Sequence, residues 1–202
     1  MTSDGKLKMK RFQKICMFVL LMATSAAWAQ PIVQYAIDPA KTTINFTWRY
    51  LGQESPKAKF ANPAGTIYLN TKSPELSWTE VSIPVKTLST FMGIIDRELL
   101  HSGHFFLPEK HPYITFRSTG ITLSDIESMT YSVTGQLTVN GITQTVVLLA
   151  KPVGSGASEL PGDIMAVEAT THFKRSEFGM TRMLGVVADE MSISLSVLAV
   201  KQ

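Results

Sequence analysis

Along most of the chain beyond residue 40, apolar and polar residues alternate with a period of two. Ile44, Phe46, Trp48 and Tyr50 share one face of an extended segment, and Thr43, Asn45, Thr47 and Arg49 share the other. Gly65, Ile67 and Leu69 continue the pattern. Val81, Ile83 and Val85 predict another strand, in which Pro84 marks an edge or irregular position. Ile114 and Phe116 belong to the next. Tyr131, Val133, Gly135, Leu137 and Val139 then oppose Ser132, Thr134, Gln136 and Thr138. Asn140-Gly141 follows, a strong hairpin signal because both residues tolerate positive φ. The return strand runs from Thr143 to Lys151. Met165, Val167, Ala169, Thr171 and Phe173 form a seventh strand. An eighth places Met191, Ile193, Leu195 and Val197 against Ser192, Ser194 and Ser196. About eight strands separated by turns describe an all-β sandwich or barrel.

One stretch departs from this period. Thr87 to Phe106 has few β-branched residues and spaces Phe91, Ile94, Ile95, Leu99 and Leu100 helically, which predicts one or two short helices. Ser176-Glu177-Phe178 predicts a further helical turn. Gly154 to Gly162 is a Gly/Ser/Pro loop. There is no internal repeat and no interdomain linker, so residues 30–202 form one domain.

The N-terminus has a different character. Lys6, Lys8, Lys10, Arg11 and Lys14 precede an apolar run from Ile15 to Trp28, and Ala27-Trp28-Ala29 supplies a small-x-small cleavage pattern. Residues 1–29 therefore predict a cleaved secretory signal. The run is shorter than the ~20 residues of a bilayer span. The signal also changes the charge reading. The chain has 19 basic and 16 acidic residues, but without residues 1–29 the balance is 14 against 15. A near-neutral domain offers no electrostatic case for nucleic acid. The lone cysteine, Cys16, falls in the signal, so the domain is expected to rely on core burial rather than disulfides.

Several motifs occur in one order. Ile37-Asp38-Pro39 and Ile44-Asn45-Phe46 come first, then Gly65-Thr66-Ile67. Leu100, Ser102, Phe105 and Phe106 precede Pro112, Ile114, Phe116 and Ser118. The run Gly135 to Thr143 and the segment Arg175-Ser176-Glu177-Phe178-Gly179-Met180 complete the series. Over Tyr35 to Val200 this order resembles the YceI-like family of periplasmic proteins, which bind polyisoprenoid lipids. The resemblance implies a single antiparallel eight-stranded lipocalin-like barrel with one or two short capping helices. It implies a periplasmic carrier that holds a polyprenyl chain or isoprenoid quinone without catalysis. A membrane cytochrome, or another membrane-surface donor or acceptor, is the implied partner. Monomer and homodimer both remain open. The family often carries Arg-Asp closely followed by His near the capping helix, and a His-Ser pair in the first strand. This chain reads Asp96-Arg97-Glu98-Leu99 and Thr42-Thr43 there, differences that bear on headgroup preference.

A barrel of eight strands can fill itself with side chains or enclose a ligand. The expected lining is Phe46, Trp48, Phe91, Phe105, Phe106, Phe116, Phe173, Phe178 and Met180. Arg97, Arg175 and Arg182 are headgroup candidates, because guanidinium forks suit phosphate. A filled barrel acting as a protein-interaction or stress-response module is one alternative. A metal-dependent enzyme is another: His101 and His104 stand at i, i+3, with Glu109 and His111 nearby. Their spacing matches no established zinc motif and Gly103 weakens a helix between them. There is no Gly-x-Ser-x-Gly elbow. No catalytic residue, metal ligand or cofactor is therefore assigned; the bound lipid is the expected ligand.

Overall fold

A computed structural model describes the backbone of residues 32–154 and 163–202, with their side chains except at 54–57. The expected signal and nearly all of the Gly154–Gly162 loop lie outside the described residues. The strands are β1 (Ile32–Ile37), β2 (Thr43–Tyr50), β3 (Gln53–Phe60), β4 (Ala64–Asn70), β5 (Trp78–Pro84), β6 (Tyr113–Asp125), β7 (Thr130–Val139), β8 (Ile142–Val153), β9 (Ile164–Lys174) and β10 (Val187–Lys201). One helix, α1 (Gly93–His101), and three 3₁₀ turns complete the described elements.

Ten strands make eight staves. β1 and β2 both run along one edge of β10, with Ile37 opposite Ala199 and Thr43 opposite Ser196. Residues 38–42 thus face only two residues of β10, and the first stave bends there. The second stave divides likewise, because β3 pairs with β2 while β4 pairs with β1. β5 to β10 follow as an antiparallel meander, and the β1–β10 pairing closes the ring. Closure leaves β1 and β4 to β10 no free edge, whereas β3 ends the sheet and is bridged beyond it only between Lys59 and Ser89 among the described residues.

The alternation predicts the inward faces correctly. Ile44 and Phe46 are buried, and Ile44, Phe46, Trp48 and Tyr50 all face the interior. Two strands escaped the sequence pattern. β1 carries too few clear alternating positions, and β3 (QESPKAKF) is polar and contains Pro56. β3 forms because β2 offers it a paired edge, and its Ala58 and Phe60 are buried. At the end of β5, Val85 leaves the strand for a 3₁₀ turn, Val85–Thr87, directly after Pro84.

The expected helix is α1, but its start differs from the sequence reading. Phe91 adopts φ +61° as a turn residue ahead of the helix. Thr90, which is buried, donates from its N–H (2.7 Å) and hydroxyl (2.6 Å) to the Asp96 carboxylate, fastening the first turn. Arg175–Phe178 forms the second expected helical turn, as a 3₁₀ segment.

Candidate functional site: an apolar cavity through the barrel

The inward faces enclose a cavity of about 1120 Å³. This exceeds the ~1,000 Å³ upper end of ordinary small-molecule pockets. Its wall is hydrocarbon and aromatic; among the described residues, the charged ones on it are Glu98 and Arg175. At one end it reaches Tyr50, Met92, Ile94 and Met183, all of them also exposed. At the other it reaches Trp78, Val153 and Ile164.

Seven of the nine expected lining residues stand on this wall: Phe46, Trp48, Phe105, Phe106, Phe116, Phe173 and Met180. Phe46 stacks with Trp48 and with Phe60, each at 5.4 Å between ring centroids. Phe106 meets Phe60 edge-on at 5.7 Å. These offset and T-shaped contacts suit the ring quadrupoles and fix the aromatic wall.

Two residues do not line the cavity. Phe91 is turned to solvent by its left-handed backbone, with the Lys59 ammonium 4.9 Å over its ring. Phe178 is fully buried behind the wall, edge-on against Phe173 at 5.1 Å. Its place in a 3₁₀ turn points it into the core rather than the lumen.

The arginines divide as well. Arg175 is buried and donates to four backbone carbonyls: Nε to Ala188, Nη1 to Met180 and Arg182, and Nη2 to Val187, at 2.7–3.0 Å. Its fork staples the 179–188 segment to the barrel, which occupies the donors a headgroup would need. Burial pulls its pKa below the ordinary arginine value, and the Asp189 charge opposes that shift. Arg182 lies off the wall, 3.7 Å from Glu98 in a half-exposed ion pair that links the late loop to α1. Arg97 is exposed on α1, away from the wall, and makes no ion pair among the described residues.

His101 and His104 are both exposed. Glu109 is engaged by Lys86 at 2.9 Å, and that hydrogen bond and charge hold its carboxyl below the usual glutamate range. Among the described residues, no three His, Cys, Asp or Glu side chains converge on a metal-sized space.

Sequence reasoning concentrated on aromatics and missed much of the aliphatic wall. Val133, Leu148 and the cross-strand pair Ala150–Ala169 all stand on it. Their alternation was visible, but small residues carry no signal that separates a hollow from a packed interior. Thr171, also on the wall, hides its polarity by donating its hydroxyl to the Val147 carbonyl at 2.8 Å. Asn140 was legible only as a turn residue. Its amide also donates to the Phe105 carbonyl at 2.6 Å, and its oxygen accepts from the Leu107 N–H at 3.1 Å.

A closed eight-stranded antiparallel barrel around an apolar lumen defines a lipocalin-like β-barrel protein. Residues 35–199 match the model of the YceI-like domain, and the chain belongs to the YceI-like family. A UPF0312 protein of Azotobacter vinelandii is 31% identical over 160 residues, covering 79% of this chain and 81% of that protein. Protein YceI of Salmonella arizonae is 31% identical over 185 residues, covering 91% and 93%. Among solved structures, Burkholderia cenocepacia BcnA superposes with a TM-score of 0.70 at 19% identity, covering 80% of this chain and 98% of that one. A polyisoprenoid binding domain from Saccharophagus degradans superposes with a TM-score of 0.62 at 12% identity, covering 83% and 98%. At these identities the two structures speak to the fold.

Proposed function

We propose that this protein is a non-catalytic lipid carrier whose barrel shelters an isoprenoid chain, either a polyprenyl lipid or the tail of a quinone, in the periplasm. The size and apolarity of the lumen carry this reading: about 1120 Å³ of space walled almost wholly by hydrocarbon. Each methylene withdrawn from water contributes roughly 0.8 kcal/mol. A prenyl tail has many, so affinity needs no polar anchor and survives the cost of ordering a flexible chain. Met180, Met183 and Met191 on the wall adapt their shape to an irregular branched guest. The family membership and the ligand named for the Saccharophagus degradans domain point to the same lipid class. The N-terminal segment supports export.

With Arg175 committed to four carbonyls, a neutral quinone head is better matched to the lumen than a phosphorylated one. Native mass spectrometry of protein purified from its own host tests the proposal. A co-purifying hydrophobic adduct of isoprenoid mass is the expected result. Purified protein that neither carries such an adduct nor takes one up from added quinone or polyprenol overturns it.

A further inference from the structure

Around one mouth of the lumen, three separate segments expose apolar side chains to water. The β2–β3 turn contributes Leu51, 68% exposed; the approach to α1 contributes Phe91, 74%, and the first turn of α1 contributes Ile94, 80%; the late loop contributes Met183 and Leu184. They form one rim. Leu51 donates its N–H to the Val186 carbonyl at 2.9 Å, and the Glu98–Arg182 pair joins the late loop to α1. Met183 and Ile94 belong both to this rim and to the cavity wall. Apolar side chains therefore run from the lumen to the outside, with the Glu98–Arg182 pair beside them. Cations accompany them. Arg97 lies one helical turn from Ile94, Lys59 sits over the Phe91 ring, and Arg182 follows at the base of the late loop.

The opposite end of the barrel makes a useful contrast. It too exposes an apolar tip, Ile126 between β6 and β7, but Asp125 and Glu127 flank that residue directly. Asp125 and Glu127 would repel a negatively charged surface from that tip, whereas the rim presents Arg97 and Lys59 to it.

We infer that the rim formed by Leu51, Ile94 and Leu184 is a docking surface for an anionic phospholipid bilayer. Its apolar tips enter the headgroup–acyl boundary, while Arg97 and Lys59 meet lipid phosphates. Docked in this way, the lumen opens toward the hydrocarbon, and a guest crosses no water. This second role rests on the carrier reading for its purpose but not for its test.

Amide hydrogen exchange of the full chain reads the docked face, because each segment reports separately from the apolar N-terminal run. With phosphatidylcholine vesicles containing phosphatidylglycerol, residues 49–53, 91–97 and 182–186 should exchange about tenfold more slowly or better, and the 123–130 hairpin should not change. Phosphatidylcholine alone, or high salt, should reduce the effect. The Leu51→Ser/Ile94→Ser/Leu184→Ser variant should lose the protection, whereas Ile126→Ser should keep it. Thermal melts would confirm that both variants fold. Protection confined to residues 1–30, protection unaffected by the triple substitution, or protection of the 123–130 hairpin would each overturn the inference. A chain that retains lipid by native mass spectrometry yet shows no rim protection refutes docking alone. One that docks but retains no lipid refutes the carrier reading alone.

Discussion

Asn140 holds the backbone of Phe105. Its side-chain amide donates to the Phe105 carbonyl at 2.6 Å, while its own backbone, at φ +53°, makes the β7–β8 turn. One residue thus shapes a hairpin and fixes the segment that presents Phe105 and Phe106 to the lumen. Asn140→Gly should preserve the turn, since glycine accepts positive φ freely. It should nevertheless destabilise the protein by about 1–3 kcal/mol through two lost hydrogen bonds. Equilibrium denaturation checks the magnitude. An unchanged midpoint would show that the clamp contributes nothing.

Gly135 and Phe116 set a second constraint on the wall. A Cβ at Gly135 would overlap the Phe116 ring and lie 2.7 Å from the Arg117 carbonyl oxygen. The absent side chain lets the aromatic ring lie flat against β7. Gly135→Ala should cost about 1–3 kcal/mol by overpacking. Adding Phe116→Leu should recover part of that loss, because it relieves the ring contact but not the backbone one. A double variant no more stable than Gly135→Ala would contradict this account.

Ala150 and Ala169 face each other across β8 and β9, and both line the lumen. Phenylalanine at both positions would place two rings in the cavity. The Ala150→Phe/Ala169→Phe variant should fold with a melting temperature equal to or above that of the parent, since it fills space without removing contacts. It should also lose at least about tenfold in retention of an isoprenoid quinone, because the apolar volume that shelters the tail is taken. Undiminished retention in a folded variant would mean that the lipid sits elsewhere.

Asp189 gives the barrel a defined response to acid. Burial by itself would raise its pKa. Hydrogen bonds from the Ser176 hydroxyl and N–H, at 2.7 and 2.9 Å, together with the charges of Arg175 and Lys174, outweigh burial and hold it below the ordinary aspartate value. A carboxyl with a lowered folded-state pKa stabilises the protein above its unfolded value of about 3.9, and that stability is lost as pH falls through the folded value. Asp189→Asn should therefore lower stability at neutral pH and flatten the acid limb of the stability profile. Parallel profiles for the two proteins would remove Asp189 from the explanation.

Much of this architecture is legible in the sequence. Strand faces, the Asn140-Gly141 turn and the helical interruption follow from local rules, because side-chain direction alternates along any extended strand. The order of family motifs then separated barrel from sandwich. Phe91 was misplaced for an equally local reason: its spacing fits a helix, yet the chain turns at that residue before α1 begins. The stapling role of Arg175 was hidden for the opposite reason, since the four carbonyls it binds lie 5 to 13 residues further along and come together only when the late loop folds back.

The amino-acid order by itself determined which residues face inward, and that the inside is apolar. Only the tertiary structure decided that the inside is hollow, that β1 and β3 complete bent staves, and that one mouth carries an apolar rim beside cations. Periodicity reports the side of a strand on which a residue lies. Empty volume depends instead on how eight staves close and on how far side chains reach from opposite walls, a sum over residues distant in sequence that no local pattern contains.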